Sequence, residues 1–343
     1  MPELEVWRAL AGALAADAGP VALLAVVASG GSSPGRPAAV MAVSAVGPLA
    51  GTIGGGAAEA GLVERVVTEL AGGGQASGPA QLVRLEHRAG APGTSGLVCG
   101  GWQQVLVCPL GATDLRGVRR VAEVLAAGLA VAWTAGPDGW RVTDEGCAPM
   151  TGEPATVTLT PGPWRVRVRS GPSHVVHVVG AGHVGRALVP LLVGLDFRVV
   201  AVDERAEVLP VPGAHASVHL PAAGLGGLVP PGPASFVAIA THDIGSDRAA
   251  LASVTPLELG YLGLLGSRAK LASLVGGRTM PPWFHAPMGL PIGSATPAEI
   301  AVSVAAELVA VRAQQVGRLR HRTQDGAPLA TPAAPPGGRS PSS

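Results

Sequence analysis

Two glycine-rich turns stand between an apolar, strand-like run and the start of a helical pattern. The first is Gly54-Gly55-Gly56, and the second runs from Gly180 to Gly185. Glycine lets backbone N–H groups approach a phosphate closely, and the helix that follows adds partial positive charge at its N-terminus. Each turn is therefore a candidate anion site, and we expect a small molecule that carries phosphate.

The second turn has the spacing of a dinucleotide-binding loop. Gly180, Gly182 and Gly185 form a G-x-G-x-x-G pattern that includes His183, and Asp203 ends the next strand. In such folds the first two glycines admit the phosphate, the third seats the helix on its strand, and the acid binds a ribose. The pattern predicts a Rossmann-like domain. It leaves open whether a nucleotide is bound, because this fold hosts many other functions.

The first turn has Glu59 one helical turn behind it. In one interpretation the triple-glycine turn is only a tight connection from strand to helix, and the negative charge of Glu59 complements the positive helix N-terminus. Three consecutive glycines, however, remove every Cβ atom that faces the loop, which packing alone rarely requires. We therefore favour a ligand contact, to which Ser32, Ser33 and Arg36 of the preceding loop would add hydrogen-bond donors.

The cysteines differ in their surroundings. Cys99 precedes Gly100 and Gly101 in a glycine-rich segment, which makes it the better candidate for sulfur chemistry or for ligation of a soft metal. The alternative is a small buried apolar side chain, the interpretation we give to Cys108 in its apolar strand. With Cys147 the set is odd and sparse, which argues against a disulfide framework and favours a reducing cytoplasm.

A third polar group follows a predicted parallel strand. His242 and Asp243 stand at its carboxyl end, the edge where open α/β sheets bind ligands. An imidazole beside carboxylates could perform acid/base chemistry or hold a metal, whereas Ser246 or Asp247 could simply cap the next helix. The next strand is followed in the same way by Gly266-Ser267-Arg268, and Arg268 and Lys270 could either face an anion or line a solvated helix face.

Composition excludes several classes of protein. The 343 residues carry a net charge of +1, so the basic surface expected of a nucleic-acid-binding protein is not indicated. No apolar run approaches the ~18 residues of a membrane span, and Glu3 and Glu5 stand where a secretory signal would be basic. We expect a cytoplasmic protein that binds neither nucleic acid nor membrane.

The apolar pattern predicts an α/β protein with two domains. Leu4, Trp7 and Leu10 share one face of an opening amphipathic helix. From His174 onward, nearly all-apolar strands alternate with helices, as in a parallel sheet that is covered on both faces. The expected divisions are an N-terminal α/β domain at residues 1–115, a helix and hairpin connector at 116–172, a Rossmann-like domain at 173–316 and a disordered tail at 317–343.

Taken in order, the motifs resemble those of the xanthine dehydrogenase accessory factors, the XdhC/CoxI family, over almost the whole chain to about Arg312. The matching pieces are Gly31-Ser32-Ser33-Pro34, Thr52-Ile53-Gly54-Gly55-Gly56 with Glu59, Cys99-Gly100-Gly101, Gly180-Ala181-Gly182-His183-Val184, Thr241-His242-Asp243 with Asp247, Gly263 to Arg268, and Gly289 to Gly293 before Thr296-Pro297. The fold this resemblance implies is an XdhC/CoxI-type N-terminal domain followed by a Rossmann-like XdhC domain.

The function implied by the resemblance is that of a maturation factor rather than an enzyme. Such a protein binds the molybdenum cofactor, a pterin with a dithiolene and a phosphate, and protects it while a cysteine desulfurase supplies its terminal sulfur. It then delivers the cofactor to a molybdenum hydroxylase of the xanthine dehydrogenase or CO dehydrogenase type. A homodimer is among the oligomeric states that remain open.

On this hypothesis the cofactor site lies in a cleft between the two domains. Cys99 is the sulfur-handling or molybdenum-facing thiol, and His242 and Asp243 are the other catalytic candidates. No metal ligands are assigned. The residues expected to bind the cofactor are Ser32, Ser33, Arg36, Gly54, Gly55, Gly56, Glu59, Gly100, Gly101, Gly180, Gly182, His183, Gly185, Asp203, Ser267 and Arg268.

Two alternatives belong to other classes of protein. An NAD(P)-dependent oxidoreductase would use His242 as its acid/base and Asp203 to hold the adenosine ribose, although this leaves the N-terminal half unexplained. A regulatory or scaffolding protein would have purely structural glycine loops.

Overall fold

The computed structural model of the chain describes residues 2–31, 33–72, 79–87, 101–143, 157–160 and 164–315. The sequence predictions for Ser32, Cys99, Gly100 and the tail at 317–343 fall outside these residues. None of the helices within the described ranges combines the length and apolar character that crossing a membrane requires.

An antiparallel five-stranded sheet forms the centre of the N-terminal half. Its strands are β1 (Val21–Gly30), β2 (Val40–Ser44), β3 (Gly47–Gly51), β4 (Gln81–His87) and β5 (Gly101–Leu110), in the order β3-β2-β1-β5-β4. Alternate residues of β1 point to opposite faces. Leu23 and Ala25 join the core beneath helix α1 (Pro2–Ala15), whereas Ala22 and Leu24 join the core beneath helix α2 (Gly56–Ala71).

A second antiparallel sheet packs against the same core. The elements are α3 (Leu115–Ala126), β6 (Val131–Gly136), β7 (Gly139–Thr143), β8 (Val157–Thr160) and β9 (Arg165–Ser170), with strand order β7-β6-β9-β8. Trp7 of α1 meets Trp133 of β6 edge to face at 5.8 Å, and the indole N–H of Trp133 donates to Ser170 Oγ at 2.9 Å. The predicted helix and hairpin at 116–172 are therefore part of the N-terminal core rather than a separate connector.

A parallel six-stranded sheet forms the C-terminal domain. Its strands are β10 (Val175–Val179), β11 (Arg198–Asp203), β12 (Ala216–His219), β13 (Gly232–Ile239), β14 (Leu259–Leu264) and β15 (Phe284–His285). The order β12-β11-β10-β13-β14-β15 is the 3-2-1-4-5-6 order of dinucleotide-binding sheets. The predicted Rossmann-like fold is thus confirmed.

Helices cover both faces of this sheet. Two long helices, α4 (His183–Gly194) and α8 (Pro297–Gln315), pack against one face. The other face is covered by α5 (Leu225–Leu228), α6 (Ile244–Val254) and α7 (Arg268–Val275). A capping box begins α8, since Thr296 and Glu299 exchange hydrogen bonds between side chains and backbone N–H groups.

The loop that precedes α8 is attached to that helix by Glu307. Its carboxylate accepts hydrogen bonds from Tyr261 Oη at 2.6 Å, from the N–H of Gly289 at 2.7 Å and from His285 Nδ1 at 3.1 Å. Gly289 has a φ of 103°, and a Cβ there would overlap Ser303. The glycine motif at 289–293 therefore has a structural role at this position.

The two halves meet at the amino-terminal edge of the parallel sheet. Arg198, the first residue of β11, donates to the carbonyl oxygen of Ala127. The ring of His215, just before β12, packs on Gly128, where a Cβ would overlap it. Both contacts lie at the amino-terminal edge, and the opposite, carboxyl-terminal edge of the sheet takes no part in them.

His177 makes the stability of the C-terminal domain depend on pH. The side chain is 2% exposed within β10, and burial lowers its pKa from 6.5 to about 4. An unfolded chain takes up a proton on this imidazole below pH 6.5, whereas the folded chain does so only near pH 4. Full stability is therefore present above pH 6.5 and is lost as the pH falls towards 4, by an amount of about 3 kcal/mol for this residue.

We expect urea unfolding followed by circular dichroism to give a lower free energy of unfolding at pH 5 than at pH 7.5. His177→Leu should remove part of this difference. Part should remain because burial also lowers the pKa of His174 to about 4. An identical pH dependence in the variant and the wild type would show that His177 does not titrate in this way.

Candidate functional site

Three of the sequence motifs come together on the face of the first sheet that α2 covers. A Cβ on Gly54 would lie 2.6 Å from the backbone nitrogen of Gly35, so the triple-glycine turn is pressed against the preceding loop. Gly35 in turn contacts the side chain of Gln103, which is 1% exposed and accepts a hydrogen bond from Ser33 Oγ at 3.2 Å. Gln103 stands two residues after Gly101 on β5.

Glu59 occupies the concave side of the triple-glycine turn. Its Oε2 accepts hydrogen bonds from the N–H of Ile53 at 2.7 Å, from the N–H of Gly55 at 2.9 Å and from Thr52 Oγ1 at 2.6 Å. The N–H of Gly54 donates to Thr52 Oγ1 at 3.0 Å. The turn therefore binds an anion as its chemistry predicts, but this anion belongs to the chain itself.

This arrangement corrects one part of the sequence prediction. The glycine pattern predicts that Gly54 and Gly55 offer their backbone N–H groups to a ligand, with Glu59 beside them. In the structure those two groups are already satisfied, and Glu59 holds the turn in shape. Gly54 is required by the close approach of Gly35 and by its φ of 133°.

The first turn of α2 remains open to a ligand. N–H groups in the first turn of a helix have no acceptor within the helix, and here Gly55 supplies no side-chain cap. Gly55 and Gly56 have φ values of 76° and 77°, which favour glycine, and a Cβ on Gly55 would meet only open space. Arg36, in the neighbouring loop, is exposed. An anion could therefore approach the N–H groups at Gly56 and Ala57.

His87 is a residue that the sequence interpretation missed. It ends β4 and pairs with Gly101 at the start of β5. The imidazole is fully buried, and neither ring nitrogen has a hydrogen-bond partner among the residues that the structure describes. The only sequence feature that could have indicated His87 is its position at the end of a strand, directly before a glycine-rich segment.

The G-x-G-x-x-G turn in the C-terminal domain is closely packed. The N–H of Gly180 donates to the carbonyl oxygen of Val202 at 2.8 Å, and a Cβ on Gly180 would lie 2.7 Å from the carbonyl carbon of Ala240. The carbonyl oxygen of Gly180 packs against Gly185, and a Cβ atom on Gly185 would overlap that oxygen. Gly182 caps α4 without such crowding. Two of the three glycines are thus required by packing alone.

Asp203 is fully engaged within the chain. Its carboxylate accepts the N–H of Ala181 at 2.7 Å and three N–H groups of Arg205 at 2.9 Å each. Burial alone would raise the pKa of Asp203, but these hydrogen bonds outweigh it and hold the pKa at about 2. Each carboxylate oxygen thus accepts two hydrogen bonds, so Asp203 has no lone pair left to accept one from a ribose hydroxyl.

The space beside this turn is small. Gly180, Asp203, Thr241 and His242 are among the residues that line a cavity of ≈ 10 Å³. A site of that size is at the lower limit for one water molecule. This cavity is by itself too small to enclose a dinucleotide. His183, the first residue of α4, is exposed.

His242 and Asp243 stand at the same edge with different roles. Asp243 is the N-cap of α6 and accepts the N–H groups of Gly245 at 3.0 Å and Ser246 at 2.7 Å. The hydroxyl of Ser246 and these N–H groups hold the pKa of Asp243 at about 2. The sequence offers Ser246 or Asp247 as the cap, but the structure assigns this role to Asp243. His242 is exposed.

The residues after β14 also form internal contacts. Ser267 caps α7 by accepting the N–H of Lys270 at 3.3 Å, and Arg268 is exposed on that helix. The ammonium group of Lys270 pairs with Asp247, which is 0% exposed and also accepts the hydroxyl of Thr241 at 2.6 Å. Within the described ranges, no group of three histidine, cysteine or acidic side chains is arranged to hold a metal ion.

The two glycine turns do not share a cleft between the domains, contrary to the sequence prediction. Gly180 and His242 follow the carboxyl ends of their strands, whereas the N-terminal half contacts the amino ends. Arg36 lies close enough to Asp196, just before β11, to counteract the rise in pKa that burial causes there. The two edges of the sheet are separated by the length of β10, about 16 Å for five residues that each rise about 3.3 Å.

Another groove in the described part of the chain involves none of the predicted residues. It has a volume of ≈ 940 Å³ and lies between α3 and β7. Arg116, Arg119 and Arg141 line it together with the half-buried ring of Trp140 and the carboxylate-bearing Glu123. This groove is wide, open and of mixed charge.

Comparison with known proteins relates the chain to one family. The family described as XdhC and CoxI matches residues 14–85, and the one described as the XdhC Rossmann domain matches residues 176–308. The crystal structure of a xanthine dehydrogenase from Bacillus halodurans superposes with a TM-score of 0.70 at 23% identity, covering 96% of this chain and 98% of that one. At this identity the likeness concerns the fold.

Two curated relatives match over shorter segments. A protein of Bacillus subtilis (strain 168), described as a probable subunit of xanthine dehydrogenase, is 39% identical over 80 residues, or 23% of this chain and 24% of that protein. The uncharacterized protein YqeB of Escherichia coli (strain K12) is 34% identical over 153 residues, or 41% of this chain and 28% of that protein. The matched segments thus span 24% and 28% of the lengths of these relatives.

The two family matches follow one another along the chain in the order that the motifs predicted. The first contains the triple-glycine turn, and the second contains the G-x-G-x-x-G turn and the whole parallel sheet apart from one residue of β10. Together with the shared fold, they show that the chain belongs to the XdhC and CoxI family.

Proposed function

We propose that the protein is an accessory factor that binds the molybdenum cofactor and delivers it to a molybdenum hydroxylase of the xanthine dehydrogenase type. Family membership and the name of the Bacillus subtilis relative support the link to xanthine dehydrogenase. The observation that carries the proposal is the convergence of the Ser33–Arg36 loop, the triple-glycine turn and the start of β5 on one face of the N-terminal sheet.

The residues at this face are compatible with a phosphate-bearing pterin. The first turn of α2 offers N–H groups and the positive end of a helix of 16 residues. Arg36 adds a guanidinium group, while the missing side chains at Gly55 and Gly56 leave room for close approach. When bound, the cofactor would supply a phosphate for this turn and dithiolene sulfurs that need shielding from water and oxygen.

Cys99 is proposed as the thiol that handles sulfur or faces molybdenum. In the sequence it stands two residues before Gly101, which the structure places at the start of β5 beside His87. Cys108, on the same strand, is 1% exposed, and burial raises the pKa of its thiol to about 12. A thiol with so high a pKa is a poor nucleophile and metal ligand. Cys108 therefore serves as an internal control for Cys99.

The partners follow from the same proposal. A cysteine desulfurase would supply the terminal sulfur while the cofactor is bound, and the hydroxylase would accept the finished cofactor. On this view the protein is a carrier and not an enzyme. Homodimer formation is compatible with the proposal and is not required by it.

We predict that the chain binds anaerobically released molybdenum cofactor at about one equivalent. Equilibrium dialysis with pterin fluorescence detection should show that Cys99→Ala weakens this affinity at least tenfold, or about 1.4 kcal/mol. Cys108→Ala should bind like the wild type, because its thiol is enclosed in the core.

Equal affinity in Cys99→Ala and the wild type would remove the thiol from the proposed site. Absence of any saturable pterin binding to the wild type would contradict the proposed function itself.

The alternative of an NAD(P)-dependent oxidoreductase is favoured by the strand order of the parallel sheet. It is disfavoured by the small volume of the cavity beside Gly180 and by the engagement of Asp203 with Ala181 and Arg205. We therefore predict no saturable NADH binding up to about 1 mM, the upper end of common substrate constants.

The measurement is a titration followed by NADH fluorescence, with Asp203→Ala as the control for binding at this turn. Saturable binding below about 0.1 mM that Asp203→Ala abolishes would favour the oxidoreductase instead.

A further inference from the structure

His87 is buried without the hydrogen bonds that a buried imidazole needs. The side chain is 0% exposed, and both Nδ1 and Nε2 lack a partner among the described residues. Buried polar groups in native proteins are nearly always paired, because an unpaired one loses its hydrogen bonds to water without replacement. An apolar side chain would fill the same volume without this cost. The histidine therefore calls for a role beyond packing.

The position of His87 connects it with the face that carries the proposed site. In the antiparallel pairing of β4 and β5, His87 lies opposite Gly101, and Leu85 lies opposite Gln103. Residues two apart on a strand share a face, so His87 lies on the same face as Val83 and Leu85, which pack with α2.

Two neighbours on that face relate the imidazole to the rest of the N-terminal site. Gly101, directly across, has no side chain, and Gln103, diagonally across, contacts Gly35 and Ser33. Both ring nitrogens therefore lie on the side of the sheet where the Ser33–Arg36 loop and the triple-glycine turn meet.

We propose that His87 is a ligand-contacting residue of the N-terminal site and recognises the polar edge of the bound pterin. This inference rests on the proposed function. A neutral imidazole has one N–H donor and one nitrogen acceptor, and the fused heterocycle of a pterin presents donors and acceptors side by side. Binding would give the imidazole the partners that it lacks in the free protein.

The proposal predicts opposite effects on stability and on binding. His87→Leu should leave the melting temperature of the ligand-free protein unchanged or raise it, because the unpaired polar group is gone. The same variant should lose about tenfold or more in affinity for anaerobically released molybdenum cofactor, measured by equilibrium dialysis. His87→Gln keeps a donor and an acceptor and should retain most of the affinity.

His177→Leu is the matched control, since it removes a buried histidine from the other domain and should leave the affinity unchanged. If wild type and His87→Leu bind the cofactor equally, His87 does not contact it and the inference is overturned. It is overturned as well if His87→Leu melts well below the wild type, because the imidazole then supports the fold. A wild-type chain that binds no pterin refutes the proposed function, a result distinct from either of these.

Discussion

The N-terminal site depends on one carboxylate that the chain folds into its own glycine turn. Glu59 reaches back from α2 and accepts two backbone N–H groups and one hydroxyl at distances between 2.6 and 2.9 Å. Hydrogen bonds to a charged group contribute about 1.5–3 kcal/mol each, so this contact fixes the turn more firmly than its glycines could. The turn then presses Gly54 onto Gly35, which in turn contacts Gln103. Loop, helix and strand are thereby held in one arrangement.

A similar interaction between an acidic side chain and a glycine turn is present in the C-terminal domain. Asp203 accepts the N–H of Ala181 in the G-x-G-x-x-G turn, and Arg205 balances its charge. In both domains an acidic side chain of the protein takes the position that sequence patterns assign to a ligand. The two sites differ in the space that is left beside the turn: the first turn of α2 is exposed at Gly56 and Ala57, whereas the cavity beside Gly180 measures only ≈ 10 Å³. This difference makes the N-terminal half the better candidate for ligand binding.

Local patterns were sufficient to predict much of the fold. Apolar strands that alternate with helices after His174 predicted the parallel sheet. The core shared by Trp7 and Trp133 was not predictable, because it depends on contacts between residues far apart in sequence. For the same reason, local patterns predicted a separate connector at residues 116–172.

The site was predicted less completely than the fold. The sequence identified the two motifs that meet at Gly35 and Gly54, because their residue types are unusual. It could not reveal that Glu59 fills the turn, since whether a backbone N–H group is free depends on side-chain positions in three dimensions. His87 escaped notice because only burial and the lack of hydrogen-bond partners make it unusual.

The most direct test of this account concerns Glu59. Affinity for anaerobically released molybdenum cofactor would be compared in the wild type, Glu59→Gln, Glu59→Ala and the exposed control Glu64→Ala. If Glu59 builds the turn that the ligand requires, affinity falls at least about tenfold in Glu59→Ala, less in Glu59→Gln, and not at all in Glu64→Ala. Tighter binding by Glu59→Ala would contradict the account, because it would show that the carboxylate occupies the place of the ligand.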